Sequence, residues 1–244
     1  MHDDPAIQTG IQAYNLGMKQ VVDETGNRMF LSLSIAPLFP AGYGHARRLS
    51  CDTKGHISGG DQSTEYMLNS LTYGWWTSKN LYITDPDHVV LGEKADLGAR
   101  SVVEGKSRLL SAIISGGMML DSSPLADDAQ AQQLAQAVYN NHSWLAVAAE
   151  GKTFRPIEGN TGDKATAVFV RSSAHGAYVA VFNYDEKESR TFAIPMDRID
   201  SKVASSSSIK VIDVASGNAL PATGTEIDVK LDPSASTLLE LRWK

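Results

Sequence analysis

Residues 80–120 read NLYITDPDHVVLGEKADLGARSVVEGKSRLLSAIISGGMML, and this stretch decides the fold class. A short apolar run over 80–87 ends on acidic residues, a helical period follows over about 97–114, and a second apolar run, GGMML, closes at residue 120. Strand, helix and strand in that order, with strands too uniformly apolar to keep one face wet, mark a parallel sheet covered on both sides. Toward the N-terminus the pattern recurs in MFLSLSIAP (29–37) and ARRLSCD (46–52). STEYMLNSLTYGWW (63–76) reads as a helix burying Met67, Leu68, Leu71 and Trp75. Earlier still, Thr9 caps a helix whose core face is Ile11, Tyr14, Met18, Val21 and Val22, with Gly26 as its stop. Toward the C-terminus, SSPLADD offers Asp127 as the N-cap of a last amphipathic helix, AQAQQLAQAVYNN.

Past residue 145 the texture changes. TAVFVRSS, AYVAVFNYD, RTFAIPM, IKVIDV, TEIDVKLD and STLLELRWK alternate and are separated by Gly, Asn, Ser and Pro turns, the pattern of an antiparallel sandwich. We therefore divide the chain into an α/β unit over 1–144 and an antiparallel β-sandwich over 145–244. The serine run 205–208 reads as a loop, and no internal repeat of fixed period is present.

The 244 residues are 42% hydrophobic and 20% charged, as in folded soluble domains, which excludes disordered, collagenous and coiled-coil classes. A formal charge of -6, from 22 basic against 28 acidic residues, with the basic residues scattered, argues against nucleic acid as a partner. No apolar run approaches the roughly 20 residues that span a bilayer, so no membrane partner is expected. The opening MHDDPAIQTG has neither the basic flank nor the apolar stretch of a signal peptide and reads like the middle of a protein. A single cysteine, Cys51, forbids an internal disulfide and a cysteine-based zinc site.

Parallel α/β sheets present chemistry at the carboxyl ends of their strands. Asp52, Asp85 and Asp87 occupy such ends, and Arg48, four residues before Asp52, can set a guanidinium beside a bound hydroxyl. The plain structural reading of Asp52 is a loop cap or surface ion pair, and Asp85-Pro86-Asp87 is ordinary turn composition.

In order along the chain, SLSIAPLFP, HARRLSCD, YITDPDHVVLG and ARSVVEGKSRLLSAIISGGMML resemble the second half of the catalytic domain of family 27 glycoside hydrolases, the melibiase or α-galactosidase group. The likeness covers most of residues 10–125, and the all-β tail resembles the C-terminal sandwich of such enzymes. It implies a (β/α)8 barrel represented here by about strands five to eight. It implies a retaining mechanism with one Asp as nucleophile and another as acid/base. Arg48-Leu-Ser-Cys-Asp52 fits the family's spacing, so Asp52 corresponds to the acid/base and Arg48 to a sugar-hydroxyl ligand. Thr84-Asp85-Pro86-Asp87 stands for the family's Asn-Asp-Pro-Asp, departing at Thr84, and makes Asp87 a second hydroxyl ligand. Leu38 and Phe39 fall on the loop that contacts the sugar's 2-position, where a bulky Leu resembles the galactosidases more than the N-acetylgalactosaminidases. The acidic residue of that loop is replaced by Ser34, Ile35 and Ala36. His88, just after Asp87, is a further candidate substrate contact, as is His45.

Glycoside hydrolysis needs a carboxylic acid for the leaving oxygen and a carboxylate about 5 Å away to attack. Nothing upstream of Met29 matches the family's Lys-x-Asp nucleophile pattern; Lys94-Ala-Asp96 opens a helix and Lys230-Leu-Asp232 lies in the β tail. Asp3 and Asp4 read as a solvated pair flanking a helix. A complete barrel takes about 250 residues, so we expect roughly half of one here. We expect the chain to be a fragment, or to need a second copy or second chain, and to lack glycosidase activity alone. The implied substrate is a terminal α-galactoside or related pyranoside, with no cofactor and no metal, and the resemblance implies a periplasmic or secreted location for the whole enzyme. The alternative is a non-catalytic carbohydrate-binding or accessory protein with a degenerate barrel.

The six histidines form no i, i+4 pair and no metalloprotease motif. Gly59-Gly60 and Gly116-Gly117 read as turns. Cys51, expected on a strand, should pack inward, and Trp75 or Trp76 could stack on a sugar, though core packing is commoner.

Overall fold

The computed structural model describes residues 5–204, 208–222 and 225–243; His2, Asp3, Asp4 and serines 205–207 lie outside the described residues. Helix α1 (Gly10–Thr25) begins at Thr9, whose hydroxyl accepts the Gln12 N–H while the Gln12 side chain accepts the Thr9 N–H, and stops at Gly26 with φ 57°. Both ends match the sequence reading. Its core face does not: α1 buries no residue, and Ile11 and Val21 are 49% and 42% exposed. The helical period is present, but only an edge-on contact between Tyr14 and Tyr43 is recorded against it among the rings.

Strands β1 (Ser32–Leu33) and β2 (Ala46–Arg48) are joined by helix α2 (Thr64–Gly74) and a 3-10 turn over Trp75–Thr77 to β3 (Ile83–Asp85). The three form a parallel ladder in the order β1-β2-β3, with Ser32 opposite Ala46 and Arg48 opposite Asp85. α2 buries Met67, Leu68 and Leu71 as expected, but Trp75 is 37% exposed because the helix tightens at Gly74 and turns that side chain off the buried face. Cys51 is exposed, correcting the expected inward packing: β2 ends at Arg48 and strand alternation no longer governs residue 51.

After β3 the ladder breaks. Pro86 has no N–H to donate and Asp87 sits at φ 64°, so the next strand, β4 (His88–Val89), starts a separate parallel pair with β5 (Leu120–Asp121). Between them lies α3 (Val102–Ser115), capped by Ser101 and closed by Gly116 at φ 68°. The helix starts later than expected because Leu97 has φ 53° and Leu91 and Ala99 form an isolated bridge. At Gly117 a Cβ would lie 1.7 Å from the Thr84 carbonyl oxygen, which instead accepts the Met118 N–H at 2.9 Å, so a side chain is excluded where the exit of α3 meets β3. α4 (Ala129–Tyr139) is capped by Asp128, not Asp127; its Oδ1 reaches the amides of Gln130 and Ala131. A further helix, α5 (His142–Ala149), was not expected.

The rest is antiparallel: β6 (Arg155–Pro156), β7 (Val168–Ser172), β8 (Gly176–Phe182), β9 (Arg190–Pro195), short helices α6 (Met196–Ile199) and α7 (Ser201–Ala204), then β10 (Ile209–Asp213), β11 (Ala219–Leu220), β12 (Glu226–Leu231) and β13 (Ser236–Trp243). Six strands run β11-β10-β13-β8-β7-β6, and β12 pairs with β9. Because strand side chains alternate, β8 and β13 feed two cores. Val179, Val181, Leu239 and Leu241 meet Ile194, Ile227 and Val229 inside the sandwich. Ala180, Phe182 and Leu238 point the other way and join Leu109, Leu110 and Ile113 of α3 in a single apolar cluster. The same cluster holds Met67, Leu68 and Leu71 of α2 and Val89 of β4, so it joins the helices and β4 to the sandwich.

Candidate active site

The carboxyl ends of β2 and β3 lie side by side, since Arg48 and Asp85 are register partners, and the chemistry gathers just beyond them. Arg48 forms an ion pair with Asp52, Nη2 lying 2.8 Å from Oδ1, and donates from Nη1 to Asp87 Oδ2 at 3.3 Å. The first contact follows from spacing, the second from the ladder. A half-buried guanidinium thus joins a carboxylate that is 57% exposed to one that is 8% exposed.

Asp87 is held on several sides. Its Oδ2 also accepts the Thr53 N–H at 2.7 Å, its Oδ1 accepts the His88 N–H at 3.0 Å, and its own N–H donates to Asp85 Oδ1 at 2.8 Å. Asp85 in turn accepts from the Ser32 hydroxyl at 3.3 Å, tying in β1. His88 places Nδ1 2.9 Å from the Ser122 hydroxyl and 3.7 Å from Asp87 Oδ1. Its Nε2 and the Nε of Arg48 are buried without a hydrogen-bond partner among the described residues. Beneath the turn lies Arg108 of α3, wholly buried and bonded to the carbonyls of Pro86 and His88. Burial pushes its guanidinium down to about 10, against the pull of Asp87, Tyr139 and Asp85, so it stays charged at neutral pH. Tyr139 donates its hydroxyl to Asp121, and burial first, then that bond, raise it well above the ordinary tyrosine range.

A cavity of about 480 Å³ borders Arg48 and Asp52, with Asp87 and His88 behind its walls; it is lined by Ser34, Ile35 and Ala36, by Arg47 to Asp52, and by Asp61 and Gln62. Arg47 donates to the Ala36 carbonyl at 3.1 and 2.8 Å, drawing that part of the loop over the cavity. Leu38 and Phe39 are not among its walls. The Leu38 carbonyl accepts the Tyr82 hydroxyl at 3.3 Å, which ties that stretch to the start of β3. His45 stacks on Phe30 at 5.3 Å and accepts the Leu31 N–H at 3.0 Å, a packing arrangement. The structure thus brings Arg48, Asp52, Asp87 and His88 together and leaves Leu38, Phe39 and His45 outside.

Asp61, Gln62 and Arg108 escaped the sequence reading. The first two lie in a Ser-Gly-Gly-Asp-Gln stretch indistinguishable from a turn. Arg108 gave a signal: a charged residue inside a helix that is buried almost all round must have polar partners. A larger cavity, about 980 Å³, lies by Ser173, His175, Lys210 and Trp243 and holds none of the strand-end carboxylates. Among the described residues no group of three or more His, Cys, Asp or Glu could hold a metal ion, and no helix is long and apolar enough to cross a membrane.

No family model matches the sequence, and no curated protein matches it. Solved structures do. α-Galactosidase I from Mortierella vinacea superposes with a TM-score of 0.72 at 15% identity, covering 96% of this chain and 64% of that one. A GH27 β-L-arabinopyranosidase from Geobacillus stearothermophilus gives 0.64 at 20% identity, covering 94% and 54%. The α-galactosidase of Saccharomyces cerevisiae gives 0.69 at 13% identity, covering 100% and 71%. The chain therefore has a fold like that of family 27 glycosidases, as the order of its motifs anticipated, and spans less than two thirds of the first two.

Proposed function

We propose that this chain is the acid/base portion of a retaining α-galactosidase-like glycoside hydrolase acting on terminal α-galactosides or a related pyranoside. The observation that carries the reading is Arg48 bridging Asp52 and Asp87 at the carboxyl ends of adjacent parallel strands. In this reading residues 1–144 form strands five to eight of a (β/α)8 barrel, with β1, β2, β3 and β5 in those places, and residues 145–244 form the attached sandwich. Asp52, exposed to the cavity, protonates the leaving glycosidic oxygen and then activates water. Arg48 and Asp87 hold sugar hydroxyls from opposite ends of one hydrogen-bonded pair, and His88 borders them.

The attacking carboxylate lies on the other half of the barrel, in a longer chain, a second copy or another protein. The exposed apolar residues Ile11, Leu16, Val21, Phe30 and Ile35 support a missing cover on that side. Alone, the chain should bind galactose without turning over substrate.

The test pairs light scattering with an aryl α-galactoside assay on the purified chain, followed by Asp52→Asn in any active assembly. The substitution should slow glycosides with poor leaving groups far more than activated aryl glycosides. Equal loss on both would remove Asp52 from the acid/base role. Robust turnover by the monomer would overturn the division of the site. Sugar binding without turnover in every assembly would favour a carbohydrate-binding protein instead.

A further inference from the structure

Asp87 occupies a backbone conformation that a non-glycine residue does not hold for free, at φ 64° and directly after a proline. Its carboxylate can face Arg48 and the Thr53 amide only while that turn is kept. The carbonyls on either side of Asp87, those of Pro86 and His88, converge on one side chain. Arg108 Nη2 donates to Pro86 O at 2.7 Å and to His88 O at 2.9 Å, and Nε donates to His88 O at 3.2 Å. Nη1 is anchored by the Ser111 hydroxyl at 2.8 Å, whose own proton returns to the Arg108 carbonyl at 2.7 Å.

Burying a guanidinium without a carboxylate partner is costly, and a methionine would fill the same space at lower cost. Arg108 is 0% exposed, and no ion pair involving it occurs among the described residues. A carbonyl clamp uses what methionine lacks: a planar fork with donors fixed in direction, able to seize two acceptors at once.

We propose that Arg108 is a positioning residue that locks the Pro86–His88 turn and thereby aims the Asp87 carboxylate at Arg48 and the Thr53 amide. The clamp acts on the site read above as sugar-binding and rests on that reading for its purpose, though not for its mechanics.

The test is amide hydrogen exchange on the full chain, followed by NMR, with galactose titrations alongside, for the unaltered protein, Arg108→Met and Arg108→Lys. In Arg108→Met the amides of Thr53, Asp87 and His88 should exchange roughly tenfold faster or more, while those of Leu109 to Ile114 stay within about twofold. Arg108→Lys, with one ammonium to serve two carbonyls, should fall between, and it carries the comparison if Arg108→Met does not fold. Unchanged protection of the three amides overturns the proposal. Equal loss there and along α3 overturns it too, because Arg108 would then only support the helix. If the unaltered chain binds no galactose while the exchange pattern holds, the sugar reading fails and the clamp stands. If galactose binds and the three amides are insensitive, the clamp fails and the sugar reading stands.

Discussion

Arg48 holds two carboxylates at once, Asp52 at 2.8 Å and Asp87 at 3.3 Å, so neither acid is placed independently of the other. Arg48→Met should weaken galactose binding by about 10- to 100-fold, the scale of one or two charge-assisted hydrogen bonds. Arg48→Lys should recover only part of this, because a single ammonium cannot span both partners. Calorimetric titration decides it; equal affinity in Arg48→Met would show that the bridge is a surface ion pair and nothing more.

Cys51 borders the same cavity and is exposed. A thiol reagent should therefore titrate one cysteine in the native chain without denaturant, and saturating galactose should slow the reaction. A thiol that reacts only after unfolding would contradict the placement of residues 49–52.

Phe182 belongs to the cluster that also contains Leu109 and Ile113, and it is fully buried. Phe182→Ala should cost about 3–5 kcal/mol in urea unfolding. The loss should register equally in probes of α3 and of the sandwich, since both draw on one core. Two separated transitions in the unaltered chain would show that the α/β and β parts melt independently.

Asp185 accepts the amides of Lys187 and Glu188 and faces Arg190 at 2.7 Å, and these donors hold its carboxyl down to about 2. Its unfolded value is about 3.9. A carboxyl depressed in the folded state contributes stability that is complete above the unfolded value and disappears as pH falls through the folded one. The difference in unfolding midpoint between the protein and Asp185→Asn should be constant above about pH 5, shrink between about 4 and 2, and vanish below. A difference that persists to the lowest pH would assign the effect to packing.

The β tail was legible because strict alternation bounded by Gly, Asn and Pro turns has few competing readings, and all six expected strands form. α5 was missed because HSWLAVAA is short and apolar on nearly every face, leaving no polar period to mark it. The parallel strands were visible as runs, yet only two or three residues of each hydrogen-bond, a limit set by neighbours that periodicity does not report. At the site, Arg48 and Asp52 were legible as a local i, i+4 pair. Asp87, 39 residues from Arg48, was legible as a strand-end acid, but its place beside Arg48 was not, its ligand role came only through a family resemblance, and Asp61 had no pattern at all. α1 shows the converse: its period is sound, but the described chain does not cover it.

Ser107 of α3 donates its hydroxyl to the Ser234 carbonyl at 2.7 Å and lies 3.0 Å from the Ser236 hydroxyl. The partners are separated by 127 and 129 residues. A ribosome adding about 5–20 residues per second takes on the order of ten seconds to cover that distance. Throughout that interval a helix with ten inward-facing residues has emerged without the strands that cover it. During synthesis the apolar side of this helix, Leu109, Leu110, Ile113 and Ile114, thus waits for its final cover until the chain is nearly finished.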